Sequence, residues 1–137
     1  MNNGQTTPGY IPQKGDIVWL DFSPQQGREI RDRRPAIVVS EYLFNKITGF
    51  ALFCPITQTR RENYLFAVEL PPDVCVRGFV LADQVRSFDY RARQAELICH
   101  LDEEHVAVQE VLKRLLSMLG VSARPHPRRT DAHIPPG

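Results

Sequence analysis

Two polar residues lie beside prolines at the ends of apolar segments. Arg34 directly precedes Pro35 and the apolar residues 36–39, and Thr57 comes two residues after Pro55. Because the residue before a proline is held in extended backbone, we predict Arg34 at the entrance of a strand. Proline interrupts strand pairing, which predicts Thr57 at a strand end. A guanidinium and a hydroxyl can both donate hydrogen bonds to a negatively charged phosphoryl oxygen.

Each of these residues also has an ordinary structural interpretation. Arg34 could form a surface ion pair with Asp32 or Glu29, and Thr57 could only satisfy the polar end of a strand. Glu29 could accept a proton from a reacting hydroxyl, but a charged loop glutamate more often pairs with a neighbouring arginine. From the residue types alone, the catalytic and the structural interpretations both stay open.

Metal-dependent and nucleophilic chemistry find little support in the sequence. For His100 and His105, which flank a predicted strand-to-helix junction, we expect helix-cap or surface roles, and we expect no metal and no other cofactor. Cys54, Cys75 and Cys99 form an odd set without a C-x-x-C pair, which predicts reduced, buried thiols rather than a disulfide framework. A Ser–His–Asp or Cys–His arrangement stays open, but no nucleophile signature or glycine-rich phosphate loop marks one.

Length and composition favour one globular domain. With 137 residues, of which 42% are hydrophobic and 24% charged, the chain lies near the average of folded proteins. This excludes collagen-like, disulfide-scaffold and wholly disordered classes. No apolar run reaches the ~18 residues of a membrane span and no signal-peptide pattern is present, so we expect a cytoplasmic protein without a membrane partner.

Charge is unevenly distributed, although 17 basic and 16 acidic residues nearly cancel. Residues 28–93 contain 11 basic and 8 acidic side chains, whereas residues 94–113 contain five acids and one base. Arginine outnumbers lysine 14 to 3, and its planar fork of donors suits phosphate, although a GC-rich genome produces the same bias. The basic middle of the chain is where we expect an anionic ligand.

Short β-branched and aromatic segments separated by turn residues predict a small, mostly antiparallel barrel or sandwich. The predicted strands are residues 17–22, 36–39, 50–56, 65–70, 79–82, 85–88 and 96–100. The charged loop over residues 23–34 is longer than usual, which is typical of functional or disordered loops. Apolar spacing from Val108 to Leu119 predicts one helix, with Asp102 as its N-cap and Gly120 as its end.

These elements predict three regions. Residues 1–14 are expected to be a flexible N-terminal lead-in, residues 15–120 the folded domain, and residues 121–137 a flexible tail rich in proline and arginine. Trp19 and Phe22 are expected to fill the interior of the barrel. Phe22, at the edge of the charged loop, could also reach a binding groove.

Five segments occur in an order that matches a known family. They are residues 15–22 (GDIVWLDF), 27–29 (GRE), 34–40 (RPAIVVS), 55–57 (PIT) and 82–87 (ADQVRS). Over residues 15–119 the chain resembles the MazF/PemK toxins of bacterial toxin–antitoxin systems. The resemblance implies a mainly β fold, an SH3-like small antiparallel β-barrel with a C-terminal α-helix. It also implies a homodimer that cuts single-stranded RNA at specific sequences without metal and that a MazE-like antitoxin neutralises.

The resemblance assigns catalytic roles to Arg34 and Thr57 and places a loop glutamate of the family at Glu29. Attack of a ribose 2′-hydroxyl on phosphorus would leave a 2′,3′-cyclic phosphate and a 5′-hydroxyl. The pKa of arginine exceeds ~12, so Arg34 suits charge stabilisation better than proton transfer. We expect RNA contacts from Phe22, Arg28, Arg31, Arg33, Gln58, Arg60, Arg61, Asp83, Gln84 and Arg86.

Two other functions share this fold class. A toxin of the CcdB kind binds DNA gyrase without being an enzyme, and fold alone does not separate it from a nuclease. A catalytically silent RNA-binding module is the third alternative. The presence of both Arg34 and Thr57 favours the nuclease.

Overall fold

The computed structural model describes residues 9–23, 32–61 and 63–121. It contains seven strands, two α-helices and one 3-10 turn in those ranges. In chain order they are β1 (Asp16–Ser23), β2 (Asp32–Val38), α1 (Tyr42–Thr48), β3 (Phe50–Thr57), β4 (Ala67–Glu69), β5 (Phe79–Leu81), the 3-10 turn (Ala82–Gln84), β6 (Arg86–Asp89), β7 (Glu96–His100) and α2 (Val106–Met118). The predicted series of strands with a C-terminal helix is confirmed, apart from α1 between β2 and β3.

The strands form one antiparallel sheet in the order β4-β5-β3-β2-β1-β7. β3 pairs with three strands. One of its edges pairs with β2, and its other edge pairs with β6 along Phe50–Phe53 and with β5 at Ile56 and Thr57. The fold is therefore mainly β, with an antiparallel sheet and a C-terminal helix.

Alternation along the strands divides the core into two clusters. Ile17 and Ile37 belong to the first, which Val108 and Val111 of α2 cover; we call it the helix-side core. Val18 and Val38, each one position further along its strand, belong to the second cluster, as does Leu20. This aromatic core contains the rings of Phe22, Phe53, Phe88 and Tyr90. Because strand side chains alternate in direction, a one-residue step exchanges one core for the other.

β2 begins earlier than predicted, at Asp32 rather than at residue 36. The polar triplet at its start resembles a loop in sequence, but pairing with β1 satisfies its backbone groups. The expectation that Trp19 fills the interior is wrong, because its side chain is 40% exposed. Trp19 lies on the same face of the sheet as Ile17, but the helix-side core does not extend along that face as far as Trp19.

α1 was not predicted. Its seven residues end at Gly49, whose φ of 78° is the left-handed conformation that glycine adopts readily. Asn45 anchors the helix: its buried side chain donates to the Pro12 carbonyl oxygen at 2.8 Å and accepts from the Ser40 hydroxyl at 2.6 Å. This support comes from outside the helix, so local periodicity does not reveal it.

The expected flexible lead-in is wrong for the residues just before β1. Pro12 is fully buried, Tyr10 packs against the aromatic core, and the Tyr10 hydroxyl donates to Asp16 at 2.5 Å. The first eight residues and the tail from residue 122 lie outside the described residues. No helix in the described ranges is long and apolar enough to cross a membrane.

The cysteine prediction is wrong for two of the three residues. Cys75, in the turn after β4, forms a disulfide with Cys99 of β7, and their Cα atoms are 6.4 Å apart. Cys54 is free and buried, as predicted. An odd number of cysteines says nothing about which of them the fold brings together, so the count misled the prediction.

The N-cap of α2 lies three residues later than predicted. Its N-cap is His105, whose Nδ1 accepts from the Ala107 amide at 3.0 Å, while Nε2 lies 2.8 Å from Asp73. Asp102 instead accepts from the Glu104 amide in the preceding turn. The helix-cap role expected for one histidine is thus confirmed at His105.

Candidate active site

Arg33 and Arg34 are neighbours in β2 but lie on opposite faces of the sheet. Arg33 is paired with Asp21 and Arg34 with Leu20 of β1. The Arg33 guanidinium binds the Asp21 carboxylate at 2.9 Å and the Glu96 carboxylate at 3.1 Å, so it links three strands. An RNA contact by Arg33 stays a prediction that would require these ion pairs to open.

Arg34 lies at the border of the aromatic core. Its guanidinium carbon is 5.7 Å from the centroid of the Phe22 ring, and its Nε and Nη2 donate to Asp32. The side chain is 41% exposed. The surface ion pair considered from the sequence is therefore present, but an exposed pair of this kind is worth only about 0–1 kcal/mol. A phosphate group can replace Asp32 at little cost.

Phe22 lies beneath Arg34 rather than on the surface. It is 5% exposed and meets the Phe88 ring edge-on, with 5.5 Å between the centroids. The structure gives Phe22 a packing role that supports the Arg34 guanidinium. Direct stacking of Phe22 on a base stays a prediction, and it would require the ring to become exposed.

Thr57 ends β3 at the same end of the sheet as Arg34. The β2–β3 ladder has Ala36 opposite Pro55 as its last pair, and Arg34 and Thr57 each lie two residues beyond that pair. A two-residue step returns a side chain to the same face, so both point to the face of Ala36 and Pro55. The Thr57 Oγ1 accepts from the Thr59 amide at 3.1 Å, which leaves its hydroxyl hydrogen available for a ligand.

Gly78 holds the backbone at Thr57. Its φ is +131°, and a Cβ at this position would collide with the Thr57 carbonyl oxygen. Phe79, the next residue, is paired with Thr57 in the β3–β5 ladder. A glycine is needed here because β5 approaches the end of β3 so closely.

Two further arginines lie over the aromatic core. The guanidinium carbons of Arg86 and Arg93 are 4.9 and 4.2 Å from the centroid of the Phe88 ring. Arg86 is exposed, whereas Arg93 donates to the Phe22 carbonyl oxygen at 2.7 Å and so holds the end of β1. Cation–π contacts of this kind orient guanidinium groups at a surface. Arg86 is thereby positioned on the same aromatic surface as Arg34.

Gln58, Arg60 and Arg61 follow Thr57 in the connection between β3 and β4. Gln58 and Arg60 are exposed and Arg61 is half-buried. Arg60 and Arg61 line a cavity of about 490 Å³. Thr57, Gln58 and the two arginines therefore form a continuous polar segment at this end of the sheet.

Asp83 and Gln84 are exposed residues of the 3-10 turn. The Asp83 carboxylate accepts a hydrogen bond from the Tyr64 hydroxyl, which raises the pKa of that hydroxyl above its ordinary value. Asp83 thus links the turn to the connection between β3 and β4. Gln84 is brought to the same region by the turn.

Sequence reasoning did not identify Tyr64 or Arg114, which both line the cavity next to Arg60 and Arg61. Tyr64 could have been identified from the sequence, since it is an aromatic residue within a polar, arginine-rich segment. Arg114 had none, because a helical arginine near the C-terminus of a chain is ordinarily a solvated surface residue. The expected site residues Arg28, Glu29 and Arg31 lie outside the described residues.

The described part of the site can stabilise an anion and donate a hydroxyl hydrogen bond. Arg34 and Arg86 supply positive charge beside the aromatic core, and Thr57 supplies the hydroxyl. Within the described ranges, no three His, Cys, Asp or Glu side chains are grouped to hold a metal ion. This chemistry suits a phosphodiester.

Comparison with known proteins agrees with this arrangement. The structure aligns with a crystal structure of MazE–MazF (Form-II) from Deinococcus radiodurans at a TM-score of 0.72 and 43% identity, covering 82% of this chain and 99% of that chain. The fold and the site thus define a small toxin of the MazF type. A sequence pattern for PemK-like, MazF-like toxins of type II toxin–antitoxin systems matches residues 13–119, and the chain belongs to that family.

Two relatives from Escherichia coli strain K12 have similar sequences. The endoribonuclease toxin MazF is 43% identical over 86 residues, which are 63% of this chain and 76% of that protein. The endoribonuclease toxin ChpB is 36% identical over 111 residues, which are 78% of this chain and 93% of that protein. The resemblance read from the sequence motifs is confirmed at the level of the family.

Proposed function

We propose that this chain is an endoribonuclease toxin that cleaves single-stranded RNA at specific sequences without metal. The observation that carries the proposal is the placement of Arg34 and Thr57 at one end of the β2–β3 ladder, on one face of the sheet. The names of the relatives MazF and ChpB, both endoribonuclease toxins, support the same activity.

The reaction is an internal transesterification. The ribose 2′-hydroxyl loses its proton to a base while its oxygen forms a bond to phosphorus. The bond from phosphorus to the 5′-oxygen breaks, and that oxygen takes a proton from water. The products are a 2′,3′-cyclic phosphate and a 5′-hydroxyl. Arg34 stabilises the negative charge that develops on the phosphoryl oxygens, since its hydrogen bonds strengthen as the charge grows.

Thr57 donates its hydroxyl hydrogen to the same phosphoryl oxygens. Because the Thr59 amide donates to its oxygen, the hydroxyl hydrogen points away from that amide and is free to bind the phosphate. In this proposal Glu29 accepts the 2′-hydroxyl proton. An arginine with a pKa above ~12 is a poor proton acceptor at neutral pH, which assigns that step to a carboxylate.

RNA follows the positive surface around these two residues. Arg86 is oriented by the Phe88 ring, and Gln58, Arg60 and Arg61 extend the surface beyond Thr57. In the proposal Arg28 and Arg31 contact the backbone and Asp83 and Gln84 contact base edges. Positive side chains bind the phosphate backbone, whereas polar groups that reach base edges read sequence.

A MazE-like antitoxin neutralises the toxin in this proposal, supported by the MazE–MazF complex of Deinococcus radiodurans. An acidic antitoxin segment suits the same positive surface that binds RNA.

The SH3-like barrel also belongs to the proposal: β3 pairs along both edges and bends from β6 to β5, which supports a sheet that curls toward closure.

The proposed homodimer forms through an apolar groove beside α2. The groove, with a volume of about 510 Å³, is lined by Val39, Leu52, Val85, Leu112, Leu115, Leu116, Met118 and Leu119 among others. Leu119 is 73% exposed, which is unusual for a leucine that continues the apolar face of a helix. Sedimentation at several concentrations tests this part, and a monomer at all of them would contradict it.

The activity is tested with long single-stranded RNA in excess EDTA, followed by mapping of fragment 5′ ends. We expect cuts at one recurring short motif, and Arg34→Ala should lower kcat/KM by about 10²–10³-fold. Arg91→Ala, purified identically, is the matched control because Arg91 is an exposed arginine in the turn after β6. Equal cleavage by wild type and Arg34→Ala would contradict the proposed role of Arg34.

The two alternatives give different outcomes in the same test. Intact RNA together with inhibited DNA supercoiling would establish a gyrase-binding toxin. Intact RNA that is only shifted on a gel would establish a silent RNA-binding module.

A further inference from the structure

We infer that the cavity between the β3–β4 connection and α2 binds one base of the RNA, stacked on Tyr64, and thereby selects the sequence that is cut. This inference rests on the proposed endoribonuclease function. The cavity, here called the Tyr64 pocket, is lined by Arg60, Arg61, Tyr64, Leu65, Phe79 and Arg114 among others, with a volume of about 490 Å³.

The Tyr64 ring is held in place at its edges while much of its surface stays exposed. Its hydroxyl donates to Asp83, and its ring meets the Phe66 ring edge-on, with 6.1 Å between the centroids. The residue nevertheless remains 42% exposed. An oriented aromatic ring with an exposed surface is the group on which proteins stack unpaired bases.

Arg114 fixes the backbone beside this ring. Its Nε donates to the Leu65 carbonyl oxygen at 3.1 Å, and its Nη1 binds the Glu110 carboxylate at 2.5 Å. The ion pair lowers the pKa of Glu110 and keeps that carboxylate charged. Helix α2 thus positions the Tyr64–Leu65 backbone. Arg114 affects the base indirectly, because it holds the backbone next to the Tyr64 ring.

The charge of the pocket suits the phosphates on either side of a bound base. Arg60 and Arg61 line it together with Arg114, whose charge is compensated by Glu110, and Glu69 is the single carboxylate among its described lining residues. Leu65 and Phe79 supply apolar surface between these charges. An acidic peptide would need only the positive charge, whereas the exposed ring and apolar lining favour a base.

The pocket adjoins the proposed catalytic threonine. Phe79 lines the pocket and is also the residue paired with Thr57 across the β3–β5 ladder. In this inference, an RNA chain whose phosphate binds at Thr57 extends past Phe79 and places a nearby nucleotide at Tyr64. This position explains how the pocket can affect the choice of cleavage site.

Two substitutions separate stacking from the hydrogen bond to Asp83. Tyr64→Phe and Tyr64→Leu both remove the hydroxyl, but only phenylalanine keeps the ring. We expect Tyr64→Leu to raise KM about tenfold on the preferred RNA and to lose preference for the base at one position of the mapped motif. Tyr64→Phe should restore both to within about threefold of wild type.

Tyr42→Ala is the matched control, because Tyr42 is 44% exposed and lies on α1, outside the site. Melting temperatures confirm that all variants fold. Cleavage of the same motif with unchanged KM by Tyr64→Leu would overturn the inference while leaving the endoribonuclease function intact. Equal defects in Tyr64→Leu and Tyr64→Phe would also overturn it, since the hydrogen bond rather than the ring would matter.

Two further outcomes are informative. If Tyr64→Leu cuts RNA normally but escapes inhibition by the antitoxin, the pocket binds the antitoxin and the inference is wrong. If the wild-type protein leaves every RNA intact in EDTA, the proposed function fails and the inference fails with it.

Discussion

The Arg34 guanidinium donates from Nε at 3.1 Å and from Nη2 at 2.9 Å to the same oxygen of Asp32. Nε and Nη2 form one of the edges with which a guanidinium binds a phosphate in a bidentate manner. In the proposed function, a phosphodiester takes the position at Arg34 that Asp32 occupies here. Both side chains are about two-fifths exposed, so the ion pair is weak and exchangeable.

Replacing Asp32 with asparagine should strengthen RNA binding. The competing charge is lost while the side-chain shape is kept, so we expect KM to fall by up to about fivefold with kcat nearly unchanged. Steady-state cleavage of a short RNA measures both constants. Glu41→Gln, which removes one exposed negative charge elsewhere, is the control. A fall in kcat would instead show that Asp32 takes part in proton transfer.

The Thr57 hydroxyl should matter for the chemical step. Thr57→Val keeps the shape but loses the donor, and a hydrogen bond to a charged group contributes about 1.5–3 kcal/mol. We therefore expect kcat to fall by roughly 10–150-fold. Thr57→Ser, which keeps the hydroxyl, should recover most of the activity. Thr59→Val is the control, and an equal loss there would mean that the turn rather than the hydroxyl is required.

Gly78 should prove necessary for the position of Thr57. Gly78→Ala combines an unfavourable positive φ with a collision against the Thr57 carbonyl oxygen, so activity and stability should both fall. Gly49→Ala is a matched control, because Gly49 also has a positive φ but open space around its Cα. We expect urea unfolding to show a loss of about 1–2 kcal/mol for Gly49→Ala and a larger one for Gly78→Ala. Equal losses would contradict the proposed contact.

Thiol reactivity tests the cysteine arrangement. The native protein should show no reactive thiol, the unfolded protein one, and the unfolded and reduced protein all three. Burial raises the pKa of Cys54 to about 12, so its thiolate forms at pH 9 only after unfolding. Its contribution to stability is complete below about pH 9 and is lost as the pH rises toward 12. Three reactive thiols without reductant would contradict the disulfide.

Reduction should also destabilise the fold. The Cys75–Cys99 disulfide joins residues 24 positions apart, and closing a loop of this size stabilises a protein by about 2–4 kcal/mol. Urea unfolding of wild type and of the double variant Cys75→Ser/Cys99→Ser measures the difference. Unchanged unfolding would show that the disulfide does not constrain the chain.

Much of the sheet was predictable because strands have local signatures. β7 was predicted with its observed bounds, and β3 was predicted to within one residue. The start of β2 was not, since Asp32, Arg33 and Arg34 are charged and owe their extended form to pairing with β1. α1 was missed because Asn45, its buried anchor, bonds to a residue 33 positions away.

Some residues of the candidate site were likewise predictable from local sequence, and others were not. Arg34 and Thr57 were identified from nearby prolines and from the family motifs, both of which are local features. The different surroundings of Arg33 and Arg34 were not, because their partners lie on β1 and β7. The role of Arg114 was not predictable for the same reason, since its partner Leu65 lies 49 residues away in the sequence.

The amino-acid sequence by itself determined the family, the order of strands and helix, and the two residues most suited to phosphate chemistry. Spacing, proline positions and alternation act between near neighbours, so they can be read directly from the chain. The tertiary structure decided the Cys75–Cys99 disulfide and the Tyr64 pocket. These depend on distances between residues far apart in the chain, which are set only when the sheet and α2 pack together.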